Sequence, residues 1–164
     1  MSDIANAILD AAERRIREAG YSGFSFREIA ADVGVKSSSV HYHFPTKERL
    51  AAAVARRYTD RFAEAVSEAG KAGLAPAESW HRVFRKALVE DGRMCLCGAL
   101  AAAAKDLPEE VRIEAQRFFQ RGVETLVNAG LSQREAMKLL ANLEGAMLVA
   151  NALGDTAIFD EVAG

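Results

Sequence analysis

"REIAADVGVKSSSVHYHFPTKERL", Arg27 to Leu50, carries the punctuation that decides the fold. Two short apolar stripes flank one glycine. Ile29, Ala30 and Val33 form the first, and Val35, Val40 and Phe44 the second, with Val40 and Phe44 four residues apart on one helical face. Gly34 permits the left-handed backbone of a tight turn, Ala30 is small enough for two helices to cross closely, and Pro45 stops the second helix. Ile29, Val33, Val35 and Val40 are placed to lock the pair. Their joint spacing about the glycine is that of a helix-turn-helix; the bland alternative is an αα-hairpin inside a bundle core.

Outward from this pair the chain keeps a helical period. Ile4, Ala7, Ile8, Ala11, Ala12 and Ile16 predict a helix over Asp3 to Ala19, stopped by Gly20, and Tyr21 to Phe26 reads as an aromatic-rich turn. The second short helix is expected over Val35 to Phe44. Thr46 can cap a long helix from Lys47 to about Ala69, in which Leu50, Val54, Tyr58, Phe62 and Val66 recur every four residues before Gly70 and Gly73 close it. Pro76 opens a fifth helix, marked by Trp80, Val83, Phe84, Ala87 and Leu88 and ended by Gly92. CLCGALAAAA, from Cys95, reads as a sixth. Pro108, Glu109 and Glu110 make a good helix start, continuing to Gly130. Ser132 and Glu135 form a capping box for an eighth helix, which ends at Gly154 before a short tail. No alternating run suggests a strand, and no repeat appears.

The totals fit this picture. The 164 residues are enough for one sizeable core or for a small module fused to a helical body, and half are apolar. The net charge of −2 hides an asymmetry, with residues 1–61 at +2 and residues 62–164 at −4, so the first third is the better face for an anion. No apolar run approaches the roughly 18–20 residues of a membrane span, and the N-terminus lacks the pattern of a signal peptide, so a cytoplasmic location without membrane contact is expected.

With Val40 and Phe44 inward, Lys36, Ser37, Ser38, Ser39, His41 and Tyr42 remain on the outer face of the second short helix. Hydroxyls, a cation and planar donors suit phosphate oxygens and base edges in a major groove. Lys47, at the start of the next helix, adds a charge beside free backbone N–H groups.

The stretch from Gly20 to Leu50 resembles the TetR family of bacterial transcriptional regulators in Ser25, Ile29-Ala30, Gly34-Val35, His43-Phe44, Lys47 and Leu50. One departure stands out. The tyrosine that the family usually carries two places before the histidine is His41 here, and a tyrosine follows at Tyr42, so either ring could reach a phosphate. The resemblance implies DNA contacts by Ser25, Arg27, Ser37, Ser38, Ser39, His41, Tyr42 and Lys47. More weakly, RMCLCGALAAAAKDLPEEV and LANLEGAMLVANALGDTAIFD are similar to effector-domain segments of the family. They imply that helices over roughly 109–129 and 133–153 pair with a second subunit as a four-helix bundle.

Other chemistries find less support. His41 and His43 are too close on a short helix to share a metal, no carboxylate completes a set, and no nucleophile has a matched base, so no metal, cofactor or enzymatic activity is expected. Cys95 and Cys97, roughly 200° apart on a regular helix, read first as buried packing and second as a thiol sensor. An effector pocket would draw its walls from Trp80, Phe84, Met94, Cys95, Phe118, Phe119 and Met147, with His81, Arg85 and Asn142 as polar contacts.

The sequence therefore predicts an all-α protein: a three-helix helix-turn-helix DNA-binding domain over residues 1–46, joined by a long helix to an effector-binding and dimerisation domain over residues 47–164. The expected partners are a double-stranded DNA operator, a second copy of the chain and a small-molecule effector. The alternatives are an occlusion protein of the same fold without effector, and a repressor that senses thiol chemistry through Cys95 and Cys97.

Overall fold

A computed structural model describes residues 2–164, which form nine α-helices and no strand. They are α1 (Asp3–Ala19), α2 (Phe26–Val33), α3 (Ser37–His43), α4 (Lys47–Lys71), α5 (Pro76–Arg85), α6 (Leu96–Ala101), α7 (Glu109–Asn128), α8 (Gln133–Leu153) and α9 (Ala157–Ala163). The helix ends follow local chemistry. The Ser2 hydroxyl accepts from the Ala5 N–H at 3.2 Å to start α1. Ser132 and Glu135 cap α8 reciprocally, and Gly154 ends it in the left-handed region.

Packing divides the described residues into two compact units. The first holds the chain up to Tyr58 together with Leu96–Gln116. Its core is Ile8, Leu9, Ile16, Ile29, Val40, Leu50, Val54, Leu96 and Leu100, all fully buried. Here α1 packs against α2, α3 and α6. Arg15 ties α1 to α2 by gripping Asp32 through Nε at 2.6 Å and Nη2 at 3.0 Å, with Nη1 reaching Glu28 at 3.2 Å.

The second unit holds Thr59–Cys95 and Arg117–Gly164. Phe62 sits at the middle of an aromatic cluster, its ring centre 5.3 Å from Trp80, 5.2 Å from Phe84 and 5.1 Å from Phe118. Gly122 is required by this packing, since a Cβ there would stand 2.9 Å from Trp80 Cη2 and 3.1 Å from Leu140 Cδ1.

Several boundaries differ from the sequence expectation, α6 among them, which begins at Leu96 and ends at Ala101. The second short helix is Ser37–His43, shorter at both ends, because Lys36 is extended at its N-cap and Phe44 has left helical geometry at its C-cap. α4 continues through Gly70 to Lys71 and turns at Gly73, whose φ of +97° only glycine adopts without strain. The fifth helix leaves α geometry after Arg85 in a wider π-type turn over Lys86–Glu90. The tail after Gly154 is not plain coil: α9 docks on α5 and α8 through Phe159, which is fully buried.

Candidate nucleic-acid interface

The turn between α2 and α3 is built as its residues require. Gly34 lies at φ +77°, ψ +32°; its N–H donates to Ala31 O at 3.3 Å and Ala30 O at 2.9 Å, and the Val35 N–H donates to Ala30 O at 3.0 Å. These bonds satisfy the carbonyls left open at the end of α2. Beyond its adjoining residues no atom lies within 4 Å of a Cβ placed at Gly34, so the glycine is needed for its backbone angle, not for space. Ile29 and Val40 are fully buried and Ala30 nearly so, while Val33 and Val35 are half-buried at the edge of the contact.

This anchoring turns one face of α3 outward. Lys36, Ser37, Ser38, His41 and Tyr42 are exposed, Ser39 is half-buried, and Phe44 is buried. Tyr42 is 84% exposed, the highest value among the exposed large apolar and aromatic side chains of the described residues. His41, though exposed, has its ring 4.6 Å from that of Phe26 in an edge-on contact. The half-buried His43 ring lies 5.1 Å from that of Tyr42. The two adjacent rings are therefore held differently: His41 leans on α2, and Tyr42 projects into solvent.

Two further residues expected to contact DNA, outside α3, have partners. Ser25 caps α2, its hydroxyl accepting from the Glu28 N–H at 3.3 Å and donating to Glu28 Oε2 at 2.9 Å; Arg27 beside it is exposed. The Lys47 ammonium rests over two rings, 4.5 Å from the centre of Tyr21 and 4.6 Å from that of Phe24. Burial there lowers its pKa, opposed by the nearby Glu48 and Glu28 carboxylates. Burial, with the charge and hydrogen bond of Glu48, pushes the Tyr21 phenol up to about 12. The Thr46 hydroxyl accepts from the Arg49 N–H at 3.2 Å and caps α4 as the sequence implied.

The resemblance of this arrangement extends to known proteins. Residues 8–54 match the sequence family described as bacterial regulatory proteins, tetR family. The crystal structure of a TetR transcriptional regulator from Legionella pneumophila is 31% identical, covers 99% of this chain and 95% of its own, and superimposes with a TM-score of 0.88. The chain belongs to the TetR family. A TetR-family regulator from Agrobacterium tumefaciens superimposes with a TM-score of 0.91 at 27% identity, covering 98% of this chain and 93% of its own. The transcriptional repressor AcnR of Corynebacterium diphtheriae is 40% identical over 63 residues, which are 38% of this chain. That match spans only 33% of AcnR. As a TetR-family member the protein is a transcriptional regulator with an N-terminal helix-turn-helix, and its relatives are regulators, not enzymes.

In this TetR-family chain the residues expected around an effector are not gathered in one place. The second unit holds a cavity of about 240 Å³ between α4, α5 and α7. Of the expected set only Trp80 and Phe118 line it. Thr59, Phe62, Val66, Arg121 and Leu126 are among its other wall residues, and their apolar members share the period of core residues, so sequence alone could not separate the two. Phe84 is fully buried in the aromatic cluster. His81, Arg85 and Asn142 instead serve α9: the His81 ring lies 5.2 Å from Phe159, Arg85 pairs with Asp160 at 2.8 Å and 3.0 Å, and Asn142 Nδ2 donates to Val162 O at 3.3 Å.

Cys95 and Cys97 do not share a helix, because α6 begins at Leu96; both are fully buried. The Cys95 N–H donates to Met147 Sδ at 2.9 Å. The sequence reading missed Glu144. Its residue is half-buried overall, yet carboxyl oxygen Oε1 is sealed from solvent without a hydrogen-bond partner. Burial pushes this carboxyl up to about 7, with a hydrogen bond to the Cys95 side chain opposing. Among the described residues no cluster of three or more His, Cys, Asp or Glu side chains could hold a metal, and no helix is long and apolar enough to cross a membrane.

Proposed function

We propose that this regulator is a cytoplasmic homodimeric repressor that binds an inverted-repeat DNA operator and is released by a small molecule. Residues 1–46 would read DNA, and residues 47–164 would dimerise and bind the effector. The observation that carries the reading is the outward row on α3: Lys36, Ser37, Ser38, His41 and Tyr42 stand exposed on a helix whose opposite face is anchored by Val40 and Phe44. Tyr42, 84% exposed and free of a packing role on α2, is the ring best placed for bases or phosphate. Ser25, Arg27, Ser39 and Lys47 would position the helix on the backbone.

A second copy is favoured by α8. Met137, Leu148, Val149 and Leu153 are 45–67% exposed, an unusual apolar load for a helix in water. Gly145, with open space where a Cβ would be, lets another helix approach closely along the same face. The last two long helices, α7 and α8, would meet their copies as a four-helix bundle, and a two-fold dimer of this kind reads half-sites about one turn of DNA apart. The cavity between α4, α5 and α7 supports an effector-responsive protein over an occlusion protein, whose pocket its own side chains would fill. Effector binding would favour a spacing of the two heads that misfits the operator.

The test is selection of bound DNA from random sequence, followed by footprinting. A palindromic footprint from a dimer is expected. Failure of any sequence to be enriched, or binding by a monomer to a single half-site, overturns the reading.

A further inference from the structure

The cavity between α4, α5 and α7 has one charged residue in its wall, Arg121. Everything deep in it is apolar or already bonded: Phe62, Val66, Trp80 and Phe118 are buried, and the Ser79 hydroxyl donates to Ala75 O at 3.1 Å. Arg121 stands on α7 with a side chain 42% exposed, at the boundary between this interior and water. Its Nη1 donates to Asp60 Oδ1 at 2.6 Å, which leaves its other guanidinium N–H groups without an acceptor among the described residues. Arg117 Nη2 donates to the same Asp60 oxygen at 3.3 Å. Two guanidiniums thus share one carboxylate oxygen, and Arg121 can turn from Asp60 while Arg117 stays.

We propose that this cavity binds a small apolar monocarboxylic acid, its apolar body against Trp80 and Phe118 and its carboxylate on Arg121, in competition with Asp60. Three observations converge. The interior excludes a polar body, because burying unpaired polar groups there is unfavourable. The single wall charge is a guanidinium, whose planar donor fork matches a carboxylate. The volume of about 240 Å³ falls below the range of about 300–1,000 Å³ typical of drug-sized ligands, which selects a short acyl chain or a single ring. Exchange of Asp60 for the ligand changes what ties α4 to α7 within this unit, so occupancy has a structural consequence. The inference deepens the effector reading above and rests on it only for the effect on DNA.

Trp80 is the only tryptophan of the chain and lies in the cavity wall, so its fluorescence reports occupancy with no DNA present. Octanoate would be titrated against 1-octanol and octylamine, and 3-phenylpropanoate against its alcohol. The acid of at least one series is expected to perturb Trp80 with an affinity about tenfold or more above its neutral partner, the scale of a charge-assisted hydrogen bond. Arg121→Gln should collapse that preference to within about twofold, and Arg121→Lys should keep part of it. Asp60→Asn, which frees Arg121, should tighten acid binding. The wild-type acid-to-alcohol ratio stands even if a variant fails to fold.

Alcohols or the amine binding as tightly as the acids, silence of Trp80 toward both series, a preference that survives Arg121→Gln in a folded variant, or weaker acid binding by Asp60→Asn would each overturn the proposal. An acid that binds without releasing DNA counts against the effector role alone. A palindromic DNA footprint with no acid binding counts against the cavity proposal alone.

Discussion

Lys47 holds its ammonium 4.5 Å from the centre of the Tyr21 ring, so the charge expected to touch a phosphate is already seated before DNA arrives. A seated cation loses less freedom on binding than a solvated one. Lys47→Ala is expected to weaken binding across all DNA sequences and to lower the slope of log K against log salt by about 1. Tyr21→Leu keeps the charge and should keep the slope. Titrations at several salt concentrations measure both.

Gly34→Ala isolates a backbone cost. Its φ of +77° disfavours any side chain, while the space around it is empty, so a loss of about 1–2 kcal/mol without repacking is expected in denaturant unfolding. Gly34→Asn should cost less, because asparagine enters the left-handed region more readily. Equal losses for both would point to a steric cause instead.

Glu144 sets a pH dependence with a definite sign. Its folded-state pKa of about 7 lies above the ordinary 4.5, so between those values the folded protein binds the extra proton. Stability from this group is fully present below about pH 4.5 and declines as pH rises toward 7, flattening above. Glu144→Gln removes the titration. Melting temperatures of the two proteins should therefore diverge in favour of the variant from pH 4.5 to 7; parallel curves would contradict the buried carboxyl.

Phe159 is the side chain that docks α9. Phe159→Ala should lower stability by up to about 3–5 kcal/mol and release amide protection in Ala157–Ala163 first. Arg85→Ala, which breaks an ion pair with side chains 41% and 44% exposed, should do far less. Hydrogen exchange resolves the two.

What the sequence made legible was local. Gly20, Gly34, Ser132 and Gly154 end or start helices through bonds made within a few residues, and they stand where expected. The inward pair Val40 and Phe44 was readable for the same reason, since a four-residue period needs no knowledge of the rest of the chain. The cavity was not legible. Trp80, Phe84 and Phe118 have the same helical spacing, yet Phe84 fills core while the other two border space, a distinction made only by distant helices. His81, Arg85 and Asn142 looked like polar contacts for a ligand because the short tail that uses them gave little pattern of its own. Glu144 left a signal: it follows Leu140 by four and precedes Met147 by three, an acid within a buried stripe.

The continuity of α4 bears on how such a protein can be rearranged by recombination or design. Its first half, with Leu50 and Val54, is core to the unit that carries the helix-turn-helix, and its second half, from Thr59, is core to the other. The first unit also needs Leu96–Gln116, which follows much of the second unit in the chain. A graft cut just before α4 would strip the reading head of Leu50 and Val54, and one cut at Tyr58 would still leave α1 without α6, one of the three helices that pack on it. If the outward residues of α3 read DNA as proposed, a new specificity is more easily gained by rewriting them than by exchanging whole heads.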